Sequence, residues 1–389
     1  MKKVIILSLN FYFALALTLF ASNQKNTDQQ DNYENVEINQ VSNSKYIKGV
    51  NNEQWEIIEK IGDPLNCRDR IKKLNSITEG NVISLEDFKK DNNIIRRSLE
   101  SNEVTFLTEG SYDLIYPLYV GENRYLIGKG LVTLNAKNTY TAIKNSGFVK
   151  NIQVFNAGKF GIALESNSTI YQVFINKTGI GHPKNSKGNG VRSRGKSSHS
   201  NCVVSVESAF GYNEVGNSSV TKKGGNADGF IVNHHAHNIT FIDVHAHNNS
   251  DDGFDFWKGG LKNEKDPNEP TIRIFYSSAN QNGKNPFTLN KDGMGFKFGS
   301  WDQYEKYSGK DEGVRLIYGS VACYNKRKGF DRNRTSMKIL AGNLSASGNR
   351  KNYNEVWINS DLKFDDKYVL KCNMFPKKYV SVNEEFLIT

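Results

Sequence analysis

The sequence predicts an all-β solenoid, a parallel β-helix, from three observations. First, a two-part phrase recurs from about residue 149, in which a β-patterned run ends near an Asn and is followed by Gly, an apolar residue and a short second strand. Second, successive Asn residues are 20, 37, 35, 34 and 43 positions apart, the shortest being about one coil. Third, apolar and polar residues alternate in the second strands, as in Phe254-Asp255-Phe256 and Phe296-Lys297-Phe298.

The repeated phrase also predicts which side chains fill the interior. The first strands end at Asn156, Asn176, Asn213, Asn248, Asn282 and Asn325. If the coils stack, the residues after the repeated glycines form one interior column, namely Ile162, Val191, Phe230, Phe254, Phe296 and Phe330. A β-sandwich is the competing architecture because its strands can also recur at regular spacing. It does not explain why the Gly-aromatic pairs recur in register.

The first residues carry a pattern typical of a secretory signal. Two lysines after Met1 precede an apolar run from Val4 to Phe20, and small residues follow at Ala21 and Ser22. We therefore expect residues 1–21 to be a signal peptide and the protein to be secreted into the extracellular space. A retained N-terminal anchor is the alternative, because the apolar run approaches the shortest membrane span.

The remaining elements follow in chain order. Residues 22–50 are rich in Asn, Gln, Asp, Lys and Ser, so we expect a disordered linker. Apolar residues recur at helical intervals over residues 51–102, which predicts a short helical N-terminal cap. The β-helix is expected over 103–350, with a C-terminal cap over 351–389. Export would permit disulfides among Cys67, Cys202, Cys323 and Cys372, but the spacing leaves the pairing open, and buried free thiols are the alternative.

The net charge narrows the class of partner. Lys and Arg number 51 and Asp and Glu number 41, a difference of +10. This excess favours a polyanion such as nucleic acid, an anionic membrane or an acidic polysaccharide, and the alternative is a basic protein without such a partner. A polytopic membrane protein is excluded because the long apolar run is confined to the N-terminus.

Stacking of the Gly-aromatic pairs predicts a cluster of carboxylates. Neighbouring strands lie about 4.8 Å apart, so Asp228 would lie beside Asp252, and Asp255 beside Lys297. Asp251 adds a further carboxylate. Such a cluster is costly unless it holds a cation, and oxygen ligands in this number suit calcium. The alternative is a solvated acidic ridge in which Lys297 forms an ion pair with Asp255.

Three segments carry a resemblance to a known family: NADGF (226–230), HNNSDDGFDFW (247–257) and DGMGFKFG (292–299). In them the sequence resembles the family 9 polysaccharide lyases, pectate lyases built on a right-handed parallel β-helix, over about residues 140–350. The resemblance implies a catalytic lysine at Lys297. It also implies that calcium is the cofactor and that its ligands are Asp228, Asp251, Asp252 and Asp255.

The reaction that the resemblance implies is β-elimination on a uronate polymer such as pectate. Calcium would bind the uronate carboxylate, and a neutral Lys297 would remove the proton from carbon 5 so that the oxygen on carbon 4 leaves. The expected partner is therefore an acidic polysaccharide. We expect a monomer with no nucleic-acid partner and no stable membrane association once the signal is removed.

Two other functions compete with the lyase. A polygalacturonase-type hydrolase uses paired carboxylates around a water, but its downstream Gly-His-Gly has no counterpart here, since Gly181-His182 lies upstream. A noncatalytic adhesin would use aromatic residues for sugar stacking, such as Trp257, Trp301, Tyr304 and Tyr307.

Two further groups of residues have weaker patterns. The histidines between 234 and 247 are expected at the surface or in turns rather than at a zinc site, because β structure scatters them over opposite faces. Five arginines could line a groove for uronate carboxylates or be solvated loop cations, namely Arg192, Arg194, Arg327, Arg332 and Arg334.

Overall fold

The computed structural model describes a large part of the chain, namely residues 47, 49–137, 139–179, 188–211, 226–260, 262–263, 265–284, 293–299, 313–333, 337–354, 362 and 370–374. The predicted signal peptide, nearly all of the predicted linker and most of the predicted C-terminal cap lie outside these residues. Within them, no helix has both the length and the apolar character needed to span a membrane.

Two parallel sheets form the body of the protein. With strands numbered in chain order, the first sheet contains β1 (Asn81–Ile83), β2 (Val104–Asp113), β4 (Tyr125–Asn135), β6 (Phe148–Phe155), β8 (Thr169–Asn176), β10 (His199–Ala209), β12 (His237–His247), β14 (Pro270–Phe275), β15 (Ser278–Asn280), β17 (Val314–Tyr318), β18 (Val321–Cys323), β20 (Ile339–Gly342) and β21 (Ser345–Ser347). The second contains β3 (Leu118–Val120), β5 (Thr141–Asn145), β7 (Phe160–Leu164), β9 (Asn189–Arg194), β11 (Phe230–Asn233), β13 (Phe254–Asp255), β16 (Phe296–Lys297), β19 (Lys328–Asp331) and β22 (Lys351–Asn354).

The strand pairing decides the architecture. Every pairing among the described strands is parallel, and each sheet pairs strands of successive coils. A sandwich of antiparallel sheets is therefore excluded, and the predicted parallel β-helix is confirmed.

The predicted interior column is present and is aromatic over four coils. Phe230, Phe254, Phe296 and Phe330 pair in register and are fully buried. Their stacked ring centroids are 5.0, 4.5 and 5.0 Å apart. Ile162 and Val191 continue the column on the preceding strands, also buried. Burial of these side chains stabilises each coil against its neighbours.

The centre of this column is the place where truncation should cost most. Phe254→Ala removes a ring that stacks on both Phe230 and Phe296, so we expect the free energy of unfolding to fall by about 3–5 kcal/mol. Chemical denaturation of both proteins measures this difference in the free energy of unfolding. Val82→Ala, at a half-exposed position, is the control and should change stability by less than about 0.5 kcal/mol. Equal stability of the two variants would contradict a stabilising role for the stacked ring.

Asparagines stabilise the turn that precedes the second-sheet strands. Only some of them are the asparagines that the sequence repeat predicted. Asn249, Asn282, Asn325 and Asn349 form a ladder in which each side-chain nitrogen donates to the next side-chain oxygen at 3.0 Å. Asn248 lies one residue earlier, at a corner with φ of 54°. The asparagines predicted from the repeat therefore occupy two different structural positions, the corner and the ladder. The sequence pattern alone does not distinguish these positions.

The ladder explains why glycine precedes the buried aromatic residue. A Cβ atom at Gly253 would lie 2.7 Å from the side-chain nitrogen of Asn282, and one at Gly295 would lie 2.9 Å from that of Asn325. Only glycine allows the backbone to approach the ladder this closely. The recurring Gly-Phe pair thus reflects two neighbouring contacts, one with the ladder and one with the interior.

Among the described residues, four helices lie before strand β2, and they pack in two places. They are α1 (Asn52–Ile61), α2 (Cys67–Ser76), α3 (Leu85–Lys90) and α4 (Ile94–Ser101). Phe88 of α3 and Leu99 of α4 belong to the interior core, so these helices cover the end of the β-helix. Trp55 of α1 and Leu74 of α2 instead pack with Val204 and other residues on the outer face of the first sheet.

All four cysteines form disulfides. Cys67 of α2 pairs with Cys202 of β10, and Cys323 of β18 pairs with Cys372 in a short 3₁₀ helix, Cys372–Met374. The first bond connects the helical segment to the first sheet, across 135 residues of sequence. Cross-links over such separations restrict the unfolded chain strongly.

Candidate functional site

The candidate site lies on the outer face of the second sheet, at β13 and β16. Alternation places Phe254 and Phe256 in the interior, so Asp255 points outward between them. Asp255 pairs in register with Lys297, which lies between two buried phenylalanines in the same way. The structure therefore brings these two predicted residues together.

Three carboxylates form a compact group at this position. Asp228, Asp252 and Asp255 are buried, and each offers an oxygen within 4.8 Å of those of the other two. Asp251 is also buried beside them, but one of its oxygens accepts a hydrogen bond from the backbone N–H of Asn226, and the compact group does not include it. The four predicted carboxylates thus divide into three that converge and one that borders them.

Backbone hydrogen bonds hold the carboxylates in place from one coil to the next. Asp228 Oδ1 accepts the N–H of Asp252 at 3.2 Å, and Asp252 Oδ1 accepts the N–H of Met294 at 2.7 Å. Asp255 Oδ1 accepts the N–H of Trp257 at 3.0 Å. One oxygen of each carboxylate is fixed by the fold, which leaves the other directed toward the cluster.

The amine of Lys297 closes the cluster. Its Nζ lies 3.1 Å from Asp252 Oδ2 and 3.0 Å from Asp255 Oδ2, and its side chain is 19% exposed. Burial acts to lower its pKa, but the carboxylates outweigh burial, Asp255 first and then Asp252, so the pKa of Lys297 lies well above its ordinary value. The amine is thus held in its charged form.

At Asp228, burial and the neighbouring charges act in the same direction. Burial, followed by the negative charges of Asp255, Asp251 and Asp252, raises the pKa of this carboxyl well above its ordinary value. Its Oδ2 is buried and has no hydrogen-bond donor among the described residues. A buried carboxylate oxygen without a donor, beside two more carboxylates, fits the oxygen ligand set of a hard cation.

Arg315 supports the site and was not identified from the sequence. This fully buried side chain donates to the carbonyl oxygens of Gly259 and Gly313, both at 2.6 Å, and of Phe298 at 3.3 Å. These hydrogen bonds connect the segment after β13, which contains Gly259, to the segment after β16, which contains Phe298. An arginine in the apolar run VRLIY marks a buried cation, but its carbonyl partners are set by the fold and not by neighbouring sequence.

The expected position of the histidines was wrong for two of them. His245 is buried between Ser278 Oγ at 2.7 Å and Asp243 Oδ1 at 2.8 Å, and His247 Nε2 is 2.6 Å from Glu207 Oε1. They lie on one face of β12 because they are two residues apart in a strand. The candidate stacking residues Trp301, Tyr304 and Tyr307 and the Gly181-His182 pair lie outside the described residues.

Residues 95–363 match a family model described as the Pel9A-like, right handed beta helix region. The chain belongs to this family. The match covers more than half of the chain and confirms the right-handed β-helix for this Pel9A-like protein. No curated protein sequence matches it.

The Pel9A-like chain is also similar to several solved structures. Pectate lyase Pel9A is 20% identical at a TM-score of 0.49, with 66% of this chain and 64% of that chain covered. A rhamnogalacturonan lyase is 19% identical at 0.41, with 62% and 64% covered. PfbA, a surface adhesin of Streptococcus pneumoniae, is 9% identical at 0.42, with 68% and 85% covered. The chain therefore spans less than two thirds of the length of either lyase.

Proposed function

We propose that this protein is a secreted, monomeric polysaccharide lyase that cleaves uronate polymers such as pectate by calcium-assisted β-elimination. The observation that carries the proposal is the amine of Lys297 within 3.1 Å of two members of a buried group of three carboxylates. A cation site and a basic side chain in contact are the two components that this reaction requires.

The metal site in this proposal consists of Asp228, Asp252 and Asp255, with Asp251 at its border. The donor-free oxygen of Asp228 supports it, because a cation would supply the missing partner. When bound, calcium supplies positive charge that holds a uronate carboxylate and makes the neighbouring carbon 5 proton more acidic.

Lys297 is the proposed base. Its neutral amine takes the proton from carbon 5, and the electron pair of that C–H bond forms the double bond between carbons 4 and 5. The bond from carbon 4 to the glycosidic oxygen then breaks, and that oxygen receives a proton from solvent. Lys297 ends as an ammonium ion, which its ion-pair partners Asp252 and Asp255 stabilise until the proton is lost to water.

The charge state of Lys297 predicts an alkaline activity profile. A lysine amine is ordinarily protonated near neutral pH, and in the metal-free protein the carboxylates raise its pKa further, so the neutral form that acts as a base becomes more abundant as pH rises. We expect kcat/KM at saturating calcium to increase with pH for as long as the protein remains folded. A profile that decreases from neutral to alkaline pH while the fold is retained would contradict a lysine base.

Two disulfides support export of the protein. Disulfides persist in oxidising compartments and are rare in reducing ones. Together with the predicted signal peptide at residues 1–21, they support an extracellular enzyme that meets its polymer outside the cell.

Incubation with polygalacturonate tests the proposal. A lyase produces a conjugated unsaturated sugar end, so ultraviolet absorbance should increase with calcium and stop when a chelator is added. New reducing ends without absorbance would indicate a hydrolase, and binding without cleavage would indicate an adhesin. Either result would refute the proposed reaction.

A further inference from the structure

One register column extends from the candidate site along the outer face of the second sheet toward the helical end. Each position pairs with the next in a parallel ladder, so the steps are about 4.8 Å. The column contains Lys297, Asp255, Ile231, Arg192, Ala163, Lys144 and Tyr119. A polymer that lies along this face would pass from the carboxylate cluster over Ile231 to Arg192.

Arg192 is the first cation on this path. It lies two strands from Asp255, about 10 Å away, and its guanidinium lies 4.4 Å from the centre of the Phe160 ring. Its Nε is buried and has no hydrogen-bond acceptor among the described residues. Arg194, two residues further on the same strand, has Nη2 3.4 Å from His234 Nε2. Among the described residues, neither arginine forms an ion pair with a carboxylate.

The positive charge at this position is consequently not balanced locally. Burial, and then the charge of Arg194, lowers the pKa of Arg192 to about 10. Burial, and then Arg194, Lys258 and Arg192, lowers the pKa of His234 to about 4, so this imidazole is neutral near neutral pH. Lys297 differs from these arginines because two carboxylates balance its charge. An anion held between Arg192 and Arg194 would relieve the cost of two adjacent cations.

Exposed aromatic surface continues beyond the arginines. Tyr140 is 42% exposed and its ring packs edge-on against Phe160, while Tyr119 at the end of the column is 55% exposed. Large exposed side chains on one face beside cations form a surface suited to an extended ligand with apolar and anionic parts.

We propose that Arg192 and Arg194 form a subsite for a uronate carboxylate of the polymer, on the helical-end side of the carboxylate cluster. The guanidinium group matches the planar carboxylate and can donate to both of its oxygens. The inference rests on the proposed function and deepens it, because it restricts the substrate to polymers that carry a second carboxylate near the one at the metal site. The two arginines are binding residues and take no part in bond cleavage.

Binding by a protein that cannot cleave tests the subsite. In the Lys297→Ala background with calcium, affinity for polygalacturonate is compared with affinity for its methyl ester, which has the same backbone without the charges. We expect Arg192→Gln combined with Arg194→Gln to weaken polygalacturonate binding by roughly 10- to 100-fold and to leave the weak binding of the ester unchanged. Arg96→Gln, at an exposed position on α4, removes one positive charge elsewhere and should have no effect.

The outcomes separate this inference from the proposed function. With an active enzyme, the double variant should raise KM while kcat changes little, since the arginines do not contact the reacting atoms. Unchanged polygalacturonate affinity in the double variant, with unsaturated product still formed by the wild-type protein, would refute the subsite alone. Loss of affinity in the double variant, with no unsaturated product from the wild-type protein, would support the subsite and refute the lyase.

Discussion

Lys297→Arg should remain folded and bind calcium while it cleaves uronate polymers about 10²- to 10⁴-fold more slowly than the wild-type protein. Arginine preserves a positive charge opposite Asp252 and Asp255, so both ion pairs can be kept. Arginine remains protonated at every pH at which the protein is folded, however, so it cannot provide a neutral base. The measurement is the initial rate of absorbance increase on polygalacturonate, with thermal unfolding as the check on folding.

Lys328→Arg is the matched control. Lys328 lies on the next strand, β19, and forms an ion pair of 3.0 Å with Asp331. It does not contact the carboxylate group, so the same substitution should leave turnover near the wild-type rate. If Lys297→Arg also retained the wild-type rate, Lys297 would be a structural ion-pair partner, and the proposed base would have to be abandoned.

Asp228→Asn should weaken calcium binding by at least roughly 10- to 100-fold without destabilising the calcium-free protein. The raised pKa of Asp228 means that its charged form opposes folding as pH rises through that pKa. Asparagine removes this charge and can still accept the N–H of Asp252, which now bonds to Asp228 Oδ1. We therefore expect a Tm in chelator equal to or above that of the wild-type protein, and a much smaller increase in Tm when calcium is added.

Asp113→Asn removes a carboxylate at an exposed position and should leave the calcium-dependent increase in Tm unchanged. The comparison needs no activity measurement, so it tests the metal site separately from the reaction. A wild-type calcium response in Asp228→Asn would show that Asp228 is not a ligand. A large loss of stability in chelator would show that its carboxylate is needed for folding.

The sequence was sufficient to predict the β-helix and the register of its second sheet. Each Gly-aromatic pair combines a position that tolerates no side chain with a position that must be buried, so its recurrence fixes the alignment of the coils. The alignment of Asp255 with Lys297 follows from it. Parallel strands keep one spacing throughout, and a register read from the core therefore also holds on the outer face.

Other features of the site depend on contacts that the repeat does not encode. Asp251 was predicted to join the cluster because it is adjacent to Asp252 in the sequence. In the structure, one of its oxygens instead accepts a hydrogen bond from the backbone N–H of Asn226. Arg315 donates hydrogen bonds to carbonyl oxygens up to 56 residues away in the sequence, and no local sequence pattern predicts such partners. Likewise, only the arrangement of the neighbouring strands shows that Arg192 has no carboxylate partner among the described residues.

The mass of the shortest products distinguishes elimination from hydrolysis. Elimination divides the polymer without adding water, whereas hydrolysis adds one water molecule for each bond cleaved. We expect mass spectrometry of a calcium-containing polygalacturonate digest to show oligomers one water molecule lighter than the corresponding hydrolysis products, and Lys297→Arg to produce almost none. Oligomers that carry the additional water would contradict elimination and, with it, the roles assigned to the carboxylate group and Lys297.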